Sequence, residues 1–297
     1  MVCSRLLLSV YIFTFLTGVP ANILAFCTFC RKVRRKAAPI DVLLLNLTVS
    51  DLIFLAALPF KMKEAQDHMA WTMLYNLCPF SSFLFYVTIY NSTLLLTAVS
   101  VERYLGVAYP LSFVYIMPYV QWSKEIVDNG TSTHFAPSTC YLNFSSEELG
   151  ILLPVRLELF VVLFCVPFLI SCFCYINFIL ILSRLPNISR RRRLRAIGLA
   201  LGTLAVFTVC FGPYNASHVV GFIHDGSESW RIEALLCSTL NACIDPFIFY
   251  FSSAAVRNML KHCVRNIVAK LHILNCGRSP RGPNQGAAEK YKEAAPP

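Results

Sequence analysis

The sequence predicts an all-α membrane protein, a polytopic bundle of apolar helices, and three observations carry that prediction. Of its 297 residues, 56% are hydrophobic and only 14% charged, where a globular chain carries about 25% charged residues. Mean hydropathy is +0.58. Several stretches with few charges also reach the roughly 20 residues that a helix needs to span a bilayer.

In chain order, hydropathy marks spans at 6–30, 41–61, 79–104, 151–183, 196–223 and 231–251. The first begins too near the start for a cleavable signal peptide, so either it serves as its own signal or the start is incomplete. Asn22 lies within it and "RKVRRK" (31–36) follows. The second holds Asp51 and Pro59, and the third holds Tyr86 and Tyr90 and ends on "ERY" (102–104). The fourth opens on "LLPVRLEL" with Arg156 and Glu158 and is broken by Pro167; "RRRRLR" (190–195) comes next. The fifth carries Pro213, Tyr214 and His218, and the sixth runs from Arg231 past Asp245 and Pro246. Residues 1–253 thus read as the bundle, 254–272 as an amphipathic helix at the membrane surface, and 273–297 as a disordered cytoplasmic tail.

The net charge of +10 raises the question of a nucleic-acid partner. The basic residues sit in short clusters beside apolar runs, which is how cytoplasmic loops read under the positive-inside rule. A lipid bilayer, not nucleic acid, is therefore the expected environment. Most of the thirteen cysteines lie inside spans, where a thiol acts as a small hydrophobe. No cysteine–histidine spacing suggests a metal and no nucleophile–base pair suggests an enzyme, so no cofactor is expected.

Charge placement also tests the topology. With the N-terminus outside, "RKVRRK" and "ERY" fall inside. The span at 151–183 then starts from the inside and delivers "RRRRLR" outside, against the positive-inside rule. One crossing is missing. The stretch 105–122, "LGVAYPLSFVYIMPYVQW", is uncharged but holds Pro110 and Pro118 and leaves no room for a loop after Arg103. From Leu111 to Trp122 a helix reaches only about 18 Å of a core roughly 30 Å thick.

Depth along the helices brings the buried charges together. At about 1.5 Å per residue, Arg156 lies roughly 16 Å outward of Pro167, His218 roughly 7 Å outward of Pro213, and Arg231 roughly 22 Å outward of Pro246. Three potential cations share the outer half of the bundle, with few acids nearby. A guanidinium does not give up its proton, and two in one cavity repel unless an anion stands between them. A carboxylate fits the guanidinium fork. Taken alone, Arg156 reads equally well as snorkelling to the headgroups or pairing with Glu158. Tyr86, Tyr90 and Tyr214 are candidate hydroxyl donors to the same pocket, or plain aromatic core.

The motifs then point to a family. "GVPANILA" around Asn22, "NLTVSDL" around Asp51, and Cys78 followed 25 residues later by Arg103 of "ERY" stand in order with Pro167 and Tyr175, "CFGPY" and "DPFIFYF". The chain resembles the rhodopsin-like G protein-coupled receptors. Phe211 stands where many members have tryptophan, and Phe249 where tyrosine is usual. Both departures, with "LLPVRLEL" and "CFGPYNASHVVGF", resemble the short-chain free fatty acid receptors, nearer their type-3 branch than type-2.

The resemblance implies a seven-transmembrane receptor bundle with an absent or rudimentary fourth helix, which in the family supplies a histidine. It implies a plasma-membrane receptor for short-chain carboxylates (acetate, propionate, butyrate), anchored by Arg156, His218 and Arg231. Leu142 hints at propionate and butyrate. The implied partner is a heterotrimeric G protein, Gi/o first and Gq second, engaged by Glu102, Arg103 and Tyr104. Asn22, Asp51 and Asp245 resemble the family's polar core, and Cys78 and Cys140 its extracellular disulfide. Asn129 and Asn143 are glycosylation sequons on that side; Asn46, Asn91 and Asn215 lie within spans and should stay bare. Cys263 and Cys276 are candidate palmitate acceptors. Two other readings stay open: a truncated, non-signalling isoform or incomplete gene model, and a transporter, for which no inverted repeat speaks.

Overall fold

The computed structural model describes residues 4–36, 38–74, 77–109, 146–185, 189–226 and 230–276. Their regular elements are helices: α1 (Ser4–Arg35), α2 (Pro39–Gln66), α3 (Leu77–Ala108), α4 (Ser146–Phe160), α5 (Val166–Arg184), α6 (Arg190–Ala205), α7 (Gly212–Ile223), α8 (Arg231–Thr239), α9 (Asn241–Ser252) and α10 (Ala254–Cys276). A π-helical turn, Val161–Cys165, joins α4 to α5, and a second, Val206–Phe211, joins α6 to α7. Among the described residues six stretches are long and apolar enough to cross a membrane, and they match the six predicted spans. The expected junction at 105–122 falls outside the described residues from 110 onward, as do Asn129, Cys140 and Asn143.

The two π turns stand immediately before Pro167 and Pro213. A proline ring clashes with the carbonyl four residues back and lacks a donor for it. One extra residue per turn relieves that clash while the helix runs on. Pro20, Pro59, Pro154 and Pro246 are instead carried inside their helices.

Each span buries one stripe. On α1, Leu7, Tyr11, Thr14, Gly18, Asn22 and Ala25 recur every three or four residues and are buried. On α5, Pro167, Ser171, Cys174, Tyr175, Phe178 and Leu182 face the core, while Leu169, Phe173, Ile176 and Leu180 form an exposed apolar stripe. Such a stripe would be costly in water at about 25 cal/mol per Å²; hydrocarbon is the solvent it suits.

Aromatic rings fill the centre. Phe164 and Phe168 stack in parallel at 6.0 Å, and Phe168 packs on Phe207 at 5.7 Å. Phe211, in the family's tryptophan position, meets Phe207 edge-on at 6.3 Å. Phe249 meets Phe29 edge-on at 5.6 Å.

Helix α2 runs five residues beyond its predicted end at Lys61. It closes in a turn where Lys63 (2.8 Å) and the Thr72 hydroxyl both donate to Asp67. Those bonds hold the Asp67 carboxyl below the usual range. His68 and Met69 take positive φ of 53° and 68° there.

At the far end of α7, Gly221 faces the carbonyl of Gly226, and a Cβ on it would stand 2.8 Å from that oxygen. Gly221→Ala is therefore expected to push the 224–226 turn away and lower stability by about 1–3 kcal/mol. Thermal unfolding of the detergent-solubilised protein reads this directly.

Residues 1–257 and 258–297 form separate compact units. Helix α10 continues to Cys276, four residues past its predicted end, with Leu260, Val264 and Val268 exposed among Arg257, Lys261 and Arg265. The tail from 277 lies outside the described residues.

Candidate functional site

The polar residues singled out by depth gather at the end of the bundle that holds Ser4, Leu77 and Arg231. Their order on α7 is the reason. Tyr214, Ser217 and His218 are three or four residues apart and so share one face. All three are buried. Arg231, at the start of α8, reaches that face with its guanidinium.

The geometry around Arg231 is dense. Its Nη1 stands 2.9 Å from His218 Nδ1 and donates to Ser217 Oγ at 3.3 Å. Its Nη2 donates to the Tyr214 hydroxyl at 2.8 Å. The guanidinium carbon also lies 4.8 Å from the Tyr214 ring centroid, a cation–π distance. These partners are hydroxyls, an imidazole and a ring, and none is an acid.

His218 is fixed from both sides. A guanidinium only donates, so Nδ1 must accept from Arg231. Nε2, 3.1 Å from the Tyr90 hydroxyl, then carries the ring's single proton. His218 thus bridges Arg231 on α8 and Tyr90 on α3.

On α3, Tyr86 and Tyr90 sit one turn apart. Tyr86 stacks on Tyr214 with centroids 6.0 Å apart, and Tyr214 meets His218 edge-on at 4.7 Å. Arg156, only 7% exposed on α4, lies within Coulombic range of Arg231, His218, Tyr86, Tyr90 and Tyr214. Five of the six predicted residues are thus linked one to the next by direct contacts, and the sixth is buried.

Two groups at this end escaped the sequence reading. Ser217 was legible as the third member of the α7 face. Lys61 and Glu64 were hidden because the second span was drawn to end at Lys61. In the continued helix Glu64 is 2% exposed, Lys61 Nζ donates to it at 2.9 Å, and Lys61 also reaches Ser82 Oγ at 3.5 Å. An acid is therefore buried at this end of the bundle.

Deeper in the bundle, Asn22 donates to the carbonyls of Gly18 (3.1 Å) and Ala242 (2.9 Å), tying α1 to α9. Asp51 and Asp245 are fully buried and face each other. Asp51 Oδ2 and both Asp245 carboxylate oxygens are buried with no hydrogen-bond partner among the described residues. At the opposite end, Glu102, Arg103 and Tyr104 close α3. Tyr104 packs edge-on against Phe173 at 5.9 Å, and Tyr175, bonded to Thr203 at 3.0 Å, lies within Coulombic range of Arg103. Cys78 is disulfide-bonded; its proposed partner, Cys140, lies outside the described residues. Among the described residues no cluster of three metal-ligating side chains occurs.

Comparison with known proteins places this geometry in a family. The profile of the 7 transmembrane receptor (rhodopsin family) matches residues 21–118 and 109–249, two pieces that meet at 109–118. The chain is 48% identical to free fatty acid receptor 3 of Mus musculus, covering 84% of this chain and 83% of the relative. It is 45% identical to free fatty acid receptor 3 of Homo sapiens (87% and 80%) and to free fatty acid receptor 2 of Mus musculus (86% and 83%).

The alignment with the first of these runs over 275 positions but uses only 84% of the 297 residues. Some 25 positions therefore stand opposite gaps, enough for one span of about 20 residues. The relatives are receptors and not enzymes. A multi-pass chain with six membrane-length helices among its described residues, and a rhodopsin-family profile matched in two pieces that overlap at 109–118, fits a seven-transmembrane receptor bundle whose fourth helix is absent or lies outside the described residues. The chain belongs to the rhodopsin family of G protein-coupled receptors and is related over most of its length to the free fatty acid receptors.

Proposed function

We propose that the outer cavity binds the carboxylate of a short-chain fatty acid, in the range from acetate to butyrate, between Arg156 and Arg231. The observation that carries this reading is the Arg231 guanidinium. It is held by Tyr214, Ser217 and His218 with no acid among those partners, beside a second buried arginine. Like charges in a partly desolvated cavity repel, and a bidentate carboxylate relieves that repulsion. His218 and Tyr214 hold the fork in place, and Tyr86 and Tyr90 line the apolar side.

Ligand size bounds the affinity. Propionate has five heavy atoms, so at about −1.5 kcal/mol per atom its binding stops at roughly −7.5 kcal/mol, low micromolar at best. A sensor built on this cavity reads abundant metabolites.

In this reading the N-terminus is extracellular, the receptor works at the plasma membrane, and Cys78 pairs with Cys140. Arg103 engages a Gi/o protein, and Asn22, Asp51 and Asp245 relay the ligand signal. With the fourth helix absent or rudimentary in this reading, the cavity lacks a wall, and the chain itself signals poorly. That second part rests on the gap in the alignment and on the junction at 105–122.

The test compares propionate with propionamide, its neutral isostere, on the purified full chain. A ligand at about 100 times its Kd adds about 2.7 kcal/mol to the folded state, which moves a thermal transition measurably. Propionate is expected to raise the transition and propionamide to leave it unchanged. Equal effects, or none from propionate, would overturn the reading.

A further inference from the structure

Resting on the carboxylate cavity proposed above, we infer that Glu64 makes that cavity selective for monocarboxylates, by occupying Lys61, the one additional cation described on its α2–α3 wall. The placement is continuous. Lys61 on α2 reaches Ser82 on α3 at 3.5 Å. Ser82 stands four residues, about one helical turn, before Tyr86 on the same face. Tyr86 in turn stacks on Tyr214, which Arg231 holds. Tyr11 of α1, 4% exposed, lies within Coulombic range of both Glu64 and Tyr86.

Two arginines by themselves would favour a dianion over a monoanion, because attraction scales with charge. The cavity as built counters this. Lys61 is committed to Glu64 at 2.9 Å, so that wall is neutral as a pair and offers a second carboxylate no net charge. The Glu64 carboxylate repels one. A buried ion pair is weak evidence for stability, so its presence calls for another account, and selectivity supplies one. A single carboxylate between Arg156 and Arg231, with its short alkyl end towards the tyrosines, meets no such opposition.

Neutralising the acid while keeping its shape exposes the latent cation. In Glu64→Gln the amide oxygen still accepts from Lys61, but the wall gains a net positive charge and a place for a second carboxylate.

The experiment uses the purified full chain, thermal stabilisation as readout, and succinate and propionate as probes. Wild type is expected to respond to propionate and at least about tenfold more weakly to succinate, a difference on the scale of one added charge contact. Glu64→Gln is expected to keep the propionate response and to bind succinate at least about tenfold more tightly than wild type. Lys61→Gln combined with Glu64→Gln should erase that gain. Succinate bound as tightly as propionate by wild type overturns the assignment, and this arm needs no variant to fold. So does a folded Glu64→Gln with normal propionate binding and no gain in succinate. A wild-type chain blind to propionate instead brings down the cavity reading itself, and this inference with it.

Discussion

Membranes carrying this chain are expected to show no propionate-stimulated nucleotide exchange on added Gi/o protein. The same chain with an apolar segment of about 20 residues inserted at the 109–118 junction is expected to show it strongly, by tenfold or more over background. The reason is topological before it is chemical. Arg103 and the "RRRRLR" cluster must share one side of the membrane, so an even number of crossings must separate them; the span at 151–183 is one, and a second is needed between 105 and 150. The stretch 111–122 reaches about 18 Å as a helix and leaves backbone groups unpaired in lipid if it extends. A full span restores the side on which Asn129 and Asn143 lie, so glycosidase sensitivity should appear together with the exchange. Exchange by the unaltered chain at the level of the extended one would show that the missing helix is dispensable.

Arg231→Ala is expected to reduce propionate affinity by at least about 30-fold, equivalent to about 2 kcal/mol and within the range for truncating one member of a desolvated charge pair. The loss has two sources. The carboxylate loses its fork, and Tyr214, Ser217 and His218 lose the donor that orders them. Arg231→Lys should recover only part of the affinity, because an ammonium keeps the charge without the bidentate geometry. Binding of propionate to the solubilised chain, followed by its thermal shift, checks both variants. An Arg231→Ala protein that binds propionate like wild type would remove Arg231 from the site.

The sequence made the bundle legible because hydrocarbon imposes length and apolarity on every span, and six stretches meet both demands. It also gave the outer site in outline. Arg156, His218 and Arg231 stand out against an apolar background, and helical rise alone brings them to the outer half of the bundle. What it left hidden follows from geometry at short range. The end of α2 could not be read from hydropathy, because Lys61, Lys63 and Glu64 look like loop residues. Only the continuation of the helix to Gln66 shows Glu64 to be buried. The bridging role of His218 depends on which neighbour faces which ring nitrogen, and spacing does not encode that. The π turns before Pro167 and Pro213 are likewise invisible to hydropathy, although each proline marked the place.

The most direct measurement is a double-substitution cycle on propionate affinity with Arg156→Met, Arg231→Met and the two combined. If both guanidiniums grip one carboxylate, each single change costs at least about 30-fold, and the pair costs clearly less than the two added together. Wild-type affinity in both single variants, against an unchanged fold, would contradict a carboxylate held between them.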